Sequence, residues 1–182
     1  MARIPYFDPA NATGPAAEAY AKLPALNIFR MMGHGGDLIE VFSRMGAYLL
    51  NSTSLDPILR EIAIVRVGVL SRAGYEVYQH EAISRRIGMS DAIIDGIHES
   101  PGAAVFDDAQ REVMAFTDDL VANVRASDAT FGRIRARWGD KALQELTMTV
   151  GYYMMVSRYL ETFDVDIEVG EAPVVTVAGD RR

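Results

Sequence analysis

The chain has 182 residues, of which 49% are hydrophobic, and its 18 basic and 25 acidic side chains give a formal net charge of -7. A chain of this length suits one domain with short extensions, and it can bury a core without disulfide or metal staples. The excess of acidic residues argues against nucleic-acid binding, because a phosphate backbone is bound by clustered Lys and Arg. We therefore expect a globular protein with no nucleic-acid partner.

Missing residue types and missing segments narrow the possible functions further. The sequence contains no cysteine, which excludes disulfides, thiol redox catalysis and thiolate metal sites. Its three histidines leave little for a metal site, so we expect neither a metal nor another cofactor. No run of about eighteen uncharged apolar residues is present, and the N-terminus lacks the pattern of a signal peptide. We expect no membrane partner and, by default, a cytoplasmic location.

Residues 1–26 are predicted to form an N-terminal arm and a short helix. Proline and asparagine favour an extended conformation in the first residues, whereas the Ala-rich stretch from Gly14 to Leu23 favours a helix that stops at Pro24. A short helical turn is predicted over residues 27–32.

The next predicted helix begins at the N-cap residue Asp37 and runs to Leu50. The helix after it has the strongest start signal in the chain, with Asp56 as N-cap and Pro57 at the first helical position. It runs over residues 56–70 and is apolar almost all round, which is typical of a helix buried on every side. Its β-branched residues leave a strand as the alternative, but its length and its start signal favour a helix.

A short break at residues 71–74 separates this helix from the next, which is predicted to run from Tyr75 to Ile87 and to end at Gly88. The remaining helices are predicted from N-cap residues and glycine stops. They span residues 90–98, 107–124, 127–138 and 140–163. The last of these is again apolar nearly all round, and residues 168–182 are predicted to form a loose tail because they lack a periodic pattern.

These elements predict an all-α protein, a compact bundle of about seven or eight helices with residues 27–167 as the helical domain. Two helices that are apolar on every side are more than a monomer of this length easily covers. Part of that surface is expected to be buried between subunits, so we predict an obligate homo-oligomer, whether dimer, trimer or hexamer.

The best candidates for chemistry are Glu76 and His80, which lie one helical turn apart on one face. A carboxylate beside an imidazole raises the pKa of the imidazole and orients the ring. Such a pair can take up and return a proton near neutral pH. A helical hairpin about the break at residues 71–74 would bring Glu61 alongside His80.

Three further side chains could complete a site around this pair. Tyr75 and Tyr78 supply phenol donors that could stabilise an enolate-like oxygen. Arg66 could hold the carboxylate of a substrate.

A purely structural role is the alternative to a catalytic role for each of these residues. A Glu–His pair at this spacing is common on solvated helix surfaces, and Glu61 and Arg66 could form a structural ion pair. Tyrosines are more often packing or pocket-lining residues than catalytic groups, and this applies to Tyr75, Tyr78, Tyr152 and Tyr153. An enclosed cavity with convergent polar groups would favour an enzyme, whereas a filled core would favour a non-catalytic oligomeric scaffold.

Residues 27–163 resemble the carboxymuconolactone decarboxylase family, which includes the alkyl hydroperoxide reductase D-type proteins. The resemblance is carried by Asp56-Pro57, Arg60-Glu61, Arg66-Val67 and the motif Tyr75-Glu76-x-x-x-His80. The downstream stretches FDDAQREVMAFTDDL, SDATF and LTMTVGYYMMVSRYL look like helices of the same family. The resemblance implies an all-helical trimer or hexamer.

The redox branch of that family carries a Cys-x-x-Cys motif, a His after it and an upstream Glu that acts in a proton relay. Glu61 matches the relay Glu and His80 matches the His, but Ala73 and Glu76 stand at the two Cys positions. A thiol peroxidase cycle needs a thiolate, so peroxidase activity is disfavoured. The resemblance is closer to the Cys-free branch, whose named enzyme removes carboxylate from a β,γ-unsaturated lactone acid without a cofactor.

The resemblance therefore implies a cofactor-free, decarboxylase-like lyase that acts on a small organic acid or lactone, by decarboxylation or isomerisation. His80 would be the general acid/base, Glu76 its partner and Glu61 the relay. Tyr75, Tyr78 and Arg66 would bind the substrate.

Overall fold

The structure, a computed structural model, describes residues 1–169 and 175. This part of the chain contains eight α-helices and no strand, which confirms the predicted all-α class. The helices are α1 (Gly14–Tyr20), α2 (Asn27–Met32), α3 (Leu38–Asn51), α4 (Pro57–Ser71), α5 (Gly74–Arg86), α6 (Asp91–Ile97), α7 (Asp108–Asn123) and α8 (Asp128–Phe163). None of these helices is both long enough and apolar enough to cross a membrane.

The helices begin where the capping residues of the sequence predict. The Oδ1 atom of Asp56 accepts hydrogen bonds from the backbone N–H groups of Ile58 and Leu59, at 2.9 and 3.2 Å. Pro57 is the first residue of α4. Ser127 caps α8 in the same way. These side chains satisfy N–H groups that have no partner within the helix.

The sequence predicts one helix that ends at Gly139 and another that begins directly after it, and both lie within the range of α8. Gly139 has a φ of 79°, outside helical geometry, and so divides α8 into two helical segments. Glycine adopts this backbone conformation readily because it has no Cβ. The glycine therefore ends the first helical segment, as predicted, and the second segment follows directly after the kink.

Helix α4 is the centre of the core. Every residue from Leu59 to Gly68 is buried, and α4 packs chiefly against α5, α7 and α8. The apolar surface of α4 from Leu59 to Gly68 is therefore covered by its own chain. Helix α8 differs, since Met148 and Met155 are each half exposed. The homo-oligomer stays a prediction.

The two ends of the described chain lie against each other. The Oδ2 atom of Asp166 accepts hydrogen bonds from the backbone N–H of Ala2 and from the hydroxyl of Tyr6, at 3.0 and 3.1 Å. The carboxylate of Glu168 is also hydrogen-bonded, as described below. Apart from residues 168, 169 and 175, the predicted loose tail lies outside the described residues. The predicted domain boundaries stay predictions.

An ion pair between the buried Arg66 and the partly exposed Asp118 joins α4 to α7. The guanidinium of Arg66 donates to both carboxylate oxygens of Asp118, at 2.6 and 2.9 Å. It also donates to the backbone carbonyls of Ile97 and Glu99, at 2.7 and 3.0 Å. Arg66 is 5% exposed. This side chain therefore holds α4, α7 and the end of α6 together.

Replacing Arg66 with Met is expected to lower the free energy of unfolding by about 3 kcal/mol, because it leaves a carboxylate and two carbonyls without their partner. Urea denaturation checks this value. The control is Arg85→Met, since Arg85 is half exposed and pairs with Glu81 and Asp91 at the surface. That change should lower the free energy of unfolding by less than about 1 kcal/mol. Equal losses in the two variants would contradict the structural role of Arg66.

Candidate active site

Helices α4 and α5 form the hairpin that the break at residues 71–74 predicts. Arg72 has a left-handed φ of 57°, and the N–H of Ala73 donates to the carbonyl of Gly68 at 2.9 Å, which ends α4. Gly68 also lets the helices approach closely, since a Cβ added there would lie 3.0 Å from the side chain of Val77. The turn and this glycine bring the facing sides of α4 and α5 into contact.

His80 lies between two carboxylates, one from each helix of the hairpin. Its Nδ1 atom is 2.7 Å from Oε2 of Glu61, and its Nε2 atom is 3.2 Å from Oε1 of Glu76. The second contact is an ion pair that is not aligned as a hydrogen bond, and Oε1 of Glu76 has no hydrogen-bond partner among the described residues. Glu61, Glu76 and His80 are 0%, 3% and 6% exposed. Of the three residues predicted for catalysis, His80 thus contacts both of the others.

Arg60 completes this buried cluster from the far side of Glu61. Its Nε atom donates to Oε1 of Glu61 at 3.1 Å, and its Nη1 atom donates to the carbonyl of Leu50 at 2.7 Å. Arg60 is 1% exposed, and its charge offsets the cost of burying the carboxylate. In the sequence analysis Arg60 is only one of the residues that carry the family resemblance, and its position in the site is not predicted.

The two carboxylates set the protonation state of His80. Burial lowers the pKa of the imidazole, but the negative charges of Glu61 and Glu76 and the hydrogen bond to Glu61 raise it, and the resulting pKa is about 9. His80 is therefore an imidazolium at neutral pH. Both ring nitrogens then carry a proton and both face a carboxylate oxygen.

A cavity of about 500 Å³ lies beside this cluster. Its polar side chains include four from one face of α5, namely Tyr75, Glu76, Gln79 and His80. Most of the remaining wall is apolar or aromatic, with Leu26, Ile28, Phe29, Phe42, Leu50, Ile83, Tyr152, Tyr153 and Val156. A mainly apolar cavity with a few convergent polar groups is typical of a small-molecule site.

The aromatic residues of the site divide between cavity and surface. Tyr75 lines the cavity, whereas Tyr78 is 44% exposed and does not. Tyr153 lies edge-on to the imidazole of His80, with 4.9 Å between the ring centroids. Burial and the charges of Glu76 and Glu61 raise the pKa of Tyr153 well above its usual value, so its hydroxyl stays protonated. Tyr153 therefore lines the pocket, which is one of the two roles that the sequence analysis gives for this residue.

The structure does not place Arg66 in this cavity. Its guanidinium is taken up by Asp118 and by two backbone carbonyls on the other side of α4. The structure therefore gives Arg66 a structural role instead of a substrate contact. Its partner is Asp118 and not Glu61, which pairs with Arg60. Tyr78 is likewise not brought to the cluster.

The C-terminal segment contributes a residue that sequence reasoning missed. Oε1 of Glu168 accepts hydrogen bonds from the hydroxyl of Tyr75 and the backbone N–H of Asn27, each at 2.6 Å. Oε2 accepts from the carboxamide of Gln79, also at 2.6 Å. Val175 lines the same cavity. No local pattern in the sequence links these positions.

Among residues 1–169 and 175, no group of three or more His, Cys, Asp or Glu side chains has an arrangement that could hold a metal ion.

The fold is of the AhpD-like all-helical type, as the solved structures below show. Residues 36–119 match the carboxymuconolactone decarboxylase family, which confirms the resemblance seen in the sequence. The matched segment contains Glu61, Glu76 and His80. No curated protein matches the chain.

Solved structures with the same fold share little sequence with this chain. A protein of unknown function from Agrobacterium tumefaciens is 18% identical, with a TM-score of 0.70 over 76% of this chain and 96% of its own. The alkylhydroperoxidase AhpD core, a peroxidase-related protein from Ralstonia eutropha, is 18% identical, with a TM-score of 0.77 over 92% and 93%. A debrominase variant in complex with 2,3,4-tribromopyrrole is 16% identical, with a TM-score of 0.68 over 83% and 80%. At these identities the likeness concerns the fold alone.

The pKa of His80 should depend on Glu76. In an NMR titration the imidazole signals of the wild type should have a midpoint near pH 9, and Glu76→Gln should lower this midpoint because it removes one of two negative charges. The control is Glu81→Gln, since Glu81 pairs with the exposed His98 at 2.8 Å. That variant should leave the midpoint of His80 unchanged. A midpoint of His80 unaffected by Glu76→Gln would contradict the arrangement.

The raised pKa of His80 also makes the free energy of unfolding depend on pH. The folded-state pKa of His80 lies above the usual value of 6.5, so its contribution to stability is fully present below pH 6.5 and is lost as pH rises through 9.

Proposed function

We propose that this protein is a cofactor-free proton-transfer enzyme that acts on a small organic acid or lactone, by decarboxylation or isomerisation. The observation that carries the proposal is the position of His80, held between Glu61 and Glu76 beside a mainly apolar cavity of about 500 Å³. A buried, charged imidazole at a cavity is suited to delivering a proton to a bound molecule.

The reaction requires a proton at carbon. Loss of carbon dioxide from a β,γ-unsaturated acid moves the electron pair of the broken C–C bond into the conjugated system, and a proton must then be added there. The His80 imidazolium is the donor in this proposal, since it is charged at neutral pH. Isomerisation uses the same groups, with a proton removed at one carbon and returned at another.

The neighbours of His80 have distinct roles in the proposed reaction. Glu61, fixed by Arg60 on its other side, orients the ring through Nδ1 and is the relay that reloads it. Glu76 faces Nε2 and is the second proton carrier. The hydroxyl of Tyr153 is a donor for a developing oxyanion. The apolar wall favours the proposed decarboxylation, because charge is dispersed as the carboxylate leaves.

The ligand of one structural neighbour widens the set of compounds to be tested. That neighbour is a debrominase bound to 2,3,4-tribromopyrrole, a small planar ring. We therefore include ring acids as well as lactone acids and acids from aromatic ring cleavage.

A screen of these acids tests the proposed function, with carbon dioxide release and ultraviolet absorbance as readouts. At least one acid should be turned over by the wild type, and His80→Gln should lower kcat/KM by about 100-fold or more. The matched control is His98→Gln, because His98 also pairs with a glutamate but is exposed and lies outside the cavity. It should retain wild-type kcat/KM. Turnover that survives His80→Gln would contradict the proposal, and no turnover of any acid would favour a non-catalytic scaffold.

Thiol-dependent peroxidase activity is expected to be absent. The chain has no cysteine, and the cycle needs a thiolate that attacks the peroxide. With dithiothreitol as reductant, hydrogen peroxide and an organic hydroperoxide should be consumed no faster than in buffer. Consumption proportional to protein concentration would overturn this expectation.

A further inference from the structure

We propose that the hydroxyl of Tyr75, the carboxamide of Gln79 and the backbone N–H of Asn27 form a carboxylate-binding subsite of the cavity. Glu168 fills this subsite in the ligand-free chain, and the carboxylate of a ligand takes it by displacing Glu168. This subsite deepens the proposed function. Its identification as the place where the substrate carboxylate binds rests on that function, whereas the binding of a carboxylate there does not.

The donors of this subsite converge on one carboxylate. Tyr75 and Asn27 donate to Oε1 of Glu168 and Gln79 donates to Oε2, each at 2.6 Å. Tyr75 and Gln79 are 5% and 9% exposed, and both line the cavity. Buried donors need an acceptor, because a donor left without one costs about 1–3 kcal/mol. The subsite therefore selects for an acceptor-only group such as a carboxylate.

The exchange of Glu168 for a ligand carboxylate is balanced in hydrogen bonds and in charge. All three donors are uncharged, so the subsite holds a carboxylate by hydrogen bonds. A ligand carboxylate can accept the same three bonds, while Glu168, which is only half-buried, moves into water. The gain from binding then comes from the rest of the ligand, which buries its apolar surface in the cavity.

Glu168 opposes this exchange because it is tethered. A group on the same chain competes at an effective concentration on the order of millimolar or higher. Weak carboxylates therefore leave Glu168 in place. Only an acid whose body also fills the apolar cavity displaces it, which makes Glu168 a filter against small polar acids.

The subsite lies beside the proposed acid/base pair. Tyr75 and Gln79 form one row on α5, and Glu76 and His80 form the adjacent row, each at i and i+4. A ligand that is held through its carboxylate by the first row lies next to the His80 imidazolium of the second row. The structure thus assigns carboxylate recognition and proton transfer to neighbouring rows of one helix.

Calorimetric titration with benzoate tests the subsite, and benzamide serves as the uncharged probe of the same shape. Glu168→Ala is expected to bind benzoate about tenfold or more tightly than the wild type, since the tethered competitor is gone. The control is Glu161→Ala, which removes one exposed carboxylate near the end of α8 and should bind benzoate as the wild type does. Benzamide should gain little from Glu168→Ala.

Two tyrosine variants test the donors separately. Adding Tyr75→Phe to Glu168→Ala should remove most of the gain in benzoate affinity, whereas adding the exposed-site change Tyr78→Phe should not. If Glu168→Ala does not fold, as judged by circular dichroism, Glu168→Gln replaces it, and its tighter binding of benzoate is the expected result. Equal or weaker binding of benzoate by the folded Glu168 variant, including no binding at all, would overturn the proposal.

The binding experiment separates this proposal from the proposed function. His80→Gln should lose turnover but keep the effect of Glu168→Ala on benzoate affinity. If that effect is present and no acid is turned over, the subsite stands and the enzymatic function fails. If acids are turned over and Glu168→Ala does not tighten benzoate binding, the subsite fails and the function stands.

Discussion

The rest of the structure depends on the burial of one charged group, the carboxylate of Glu61 on the central helix α4. Glu61 has no exposed surface, and a carboxylate in that position is tolerated only if opposite charges and hydrogen bonds surround it. Arg60 supplies one partner from α4 and His80 supplies the other from α5. The second partner requires the tight turn between these helices and the close approach at Gly68. The same requirement keeps His80 charged, so the constraint that shapes the hairpin also gives it a proton to transfer.

Local signals in the sequence predicted most of the fold and the centre of the site. Asp56 and Ser127 mark helix starts because their side chains accept hydrogen bonds from backbone N–H groups two or three residues later. Glu76 and His80 are four residues apart on one helix, so their contact follows from helical geometry. Glu61 could be placed beside them because only a short break separates the two helices. Gly139 separates two helical segments, as predicted, because its positive φ lies outside helical geometry.

Partners distant in sequence could not be predicted. The partner of Arg66 is Asp118, on a helix whose packing no local pattern specifies. Glu168 lies in a segment with no periodicity, and its donors Tyr75 and Gln79 are far earlier in the chain. The prediction of Tyr78 as a site residue could have been avoided. Successive residues of a helix are rotated by about 100°, which places Tyr78 off the arc shared by residues 75, 76, 79 and 80. The apolar circumference of α4 correctly predicted that this helix is buried. It did not predict that other helices of the same chain cover it.

The protonation of His80 is the central claim and can be observed directly. At pH 7.5, nitrogen-15 NMR of the imidazole should show Nδ1 and Nε2 both carrying a proton, as in an imidazolium that faces Glu61 on one side and Glu76 on the other. A spectrum in which one of the two nitrogens is unprotonated at that pH would show a neutral ring. It would contradict the account of the buried cluster and of the proton donor it provides.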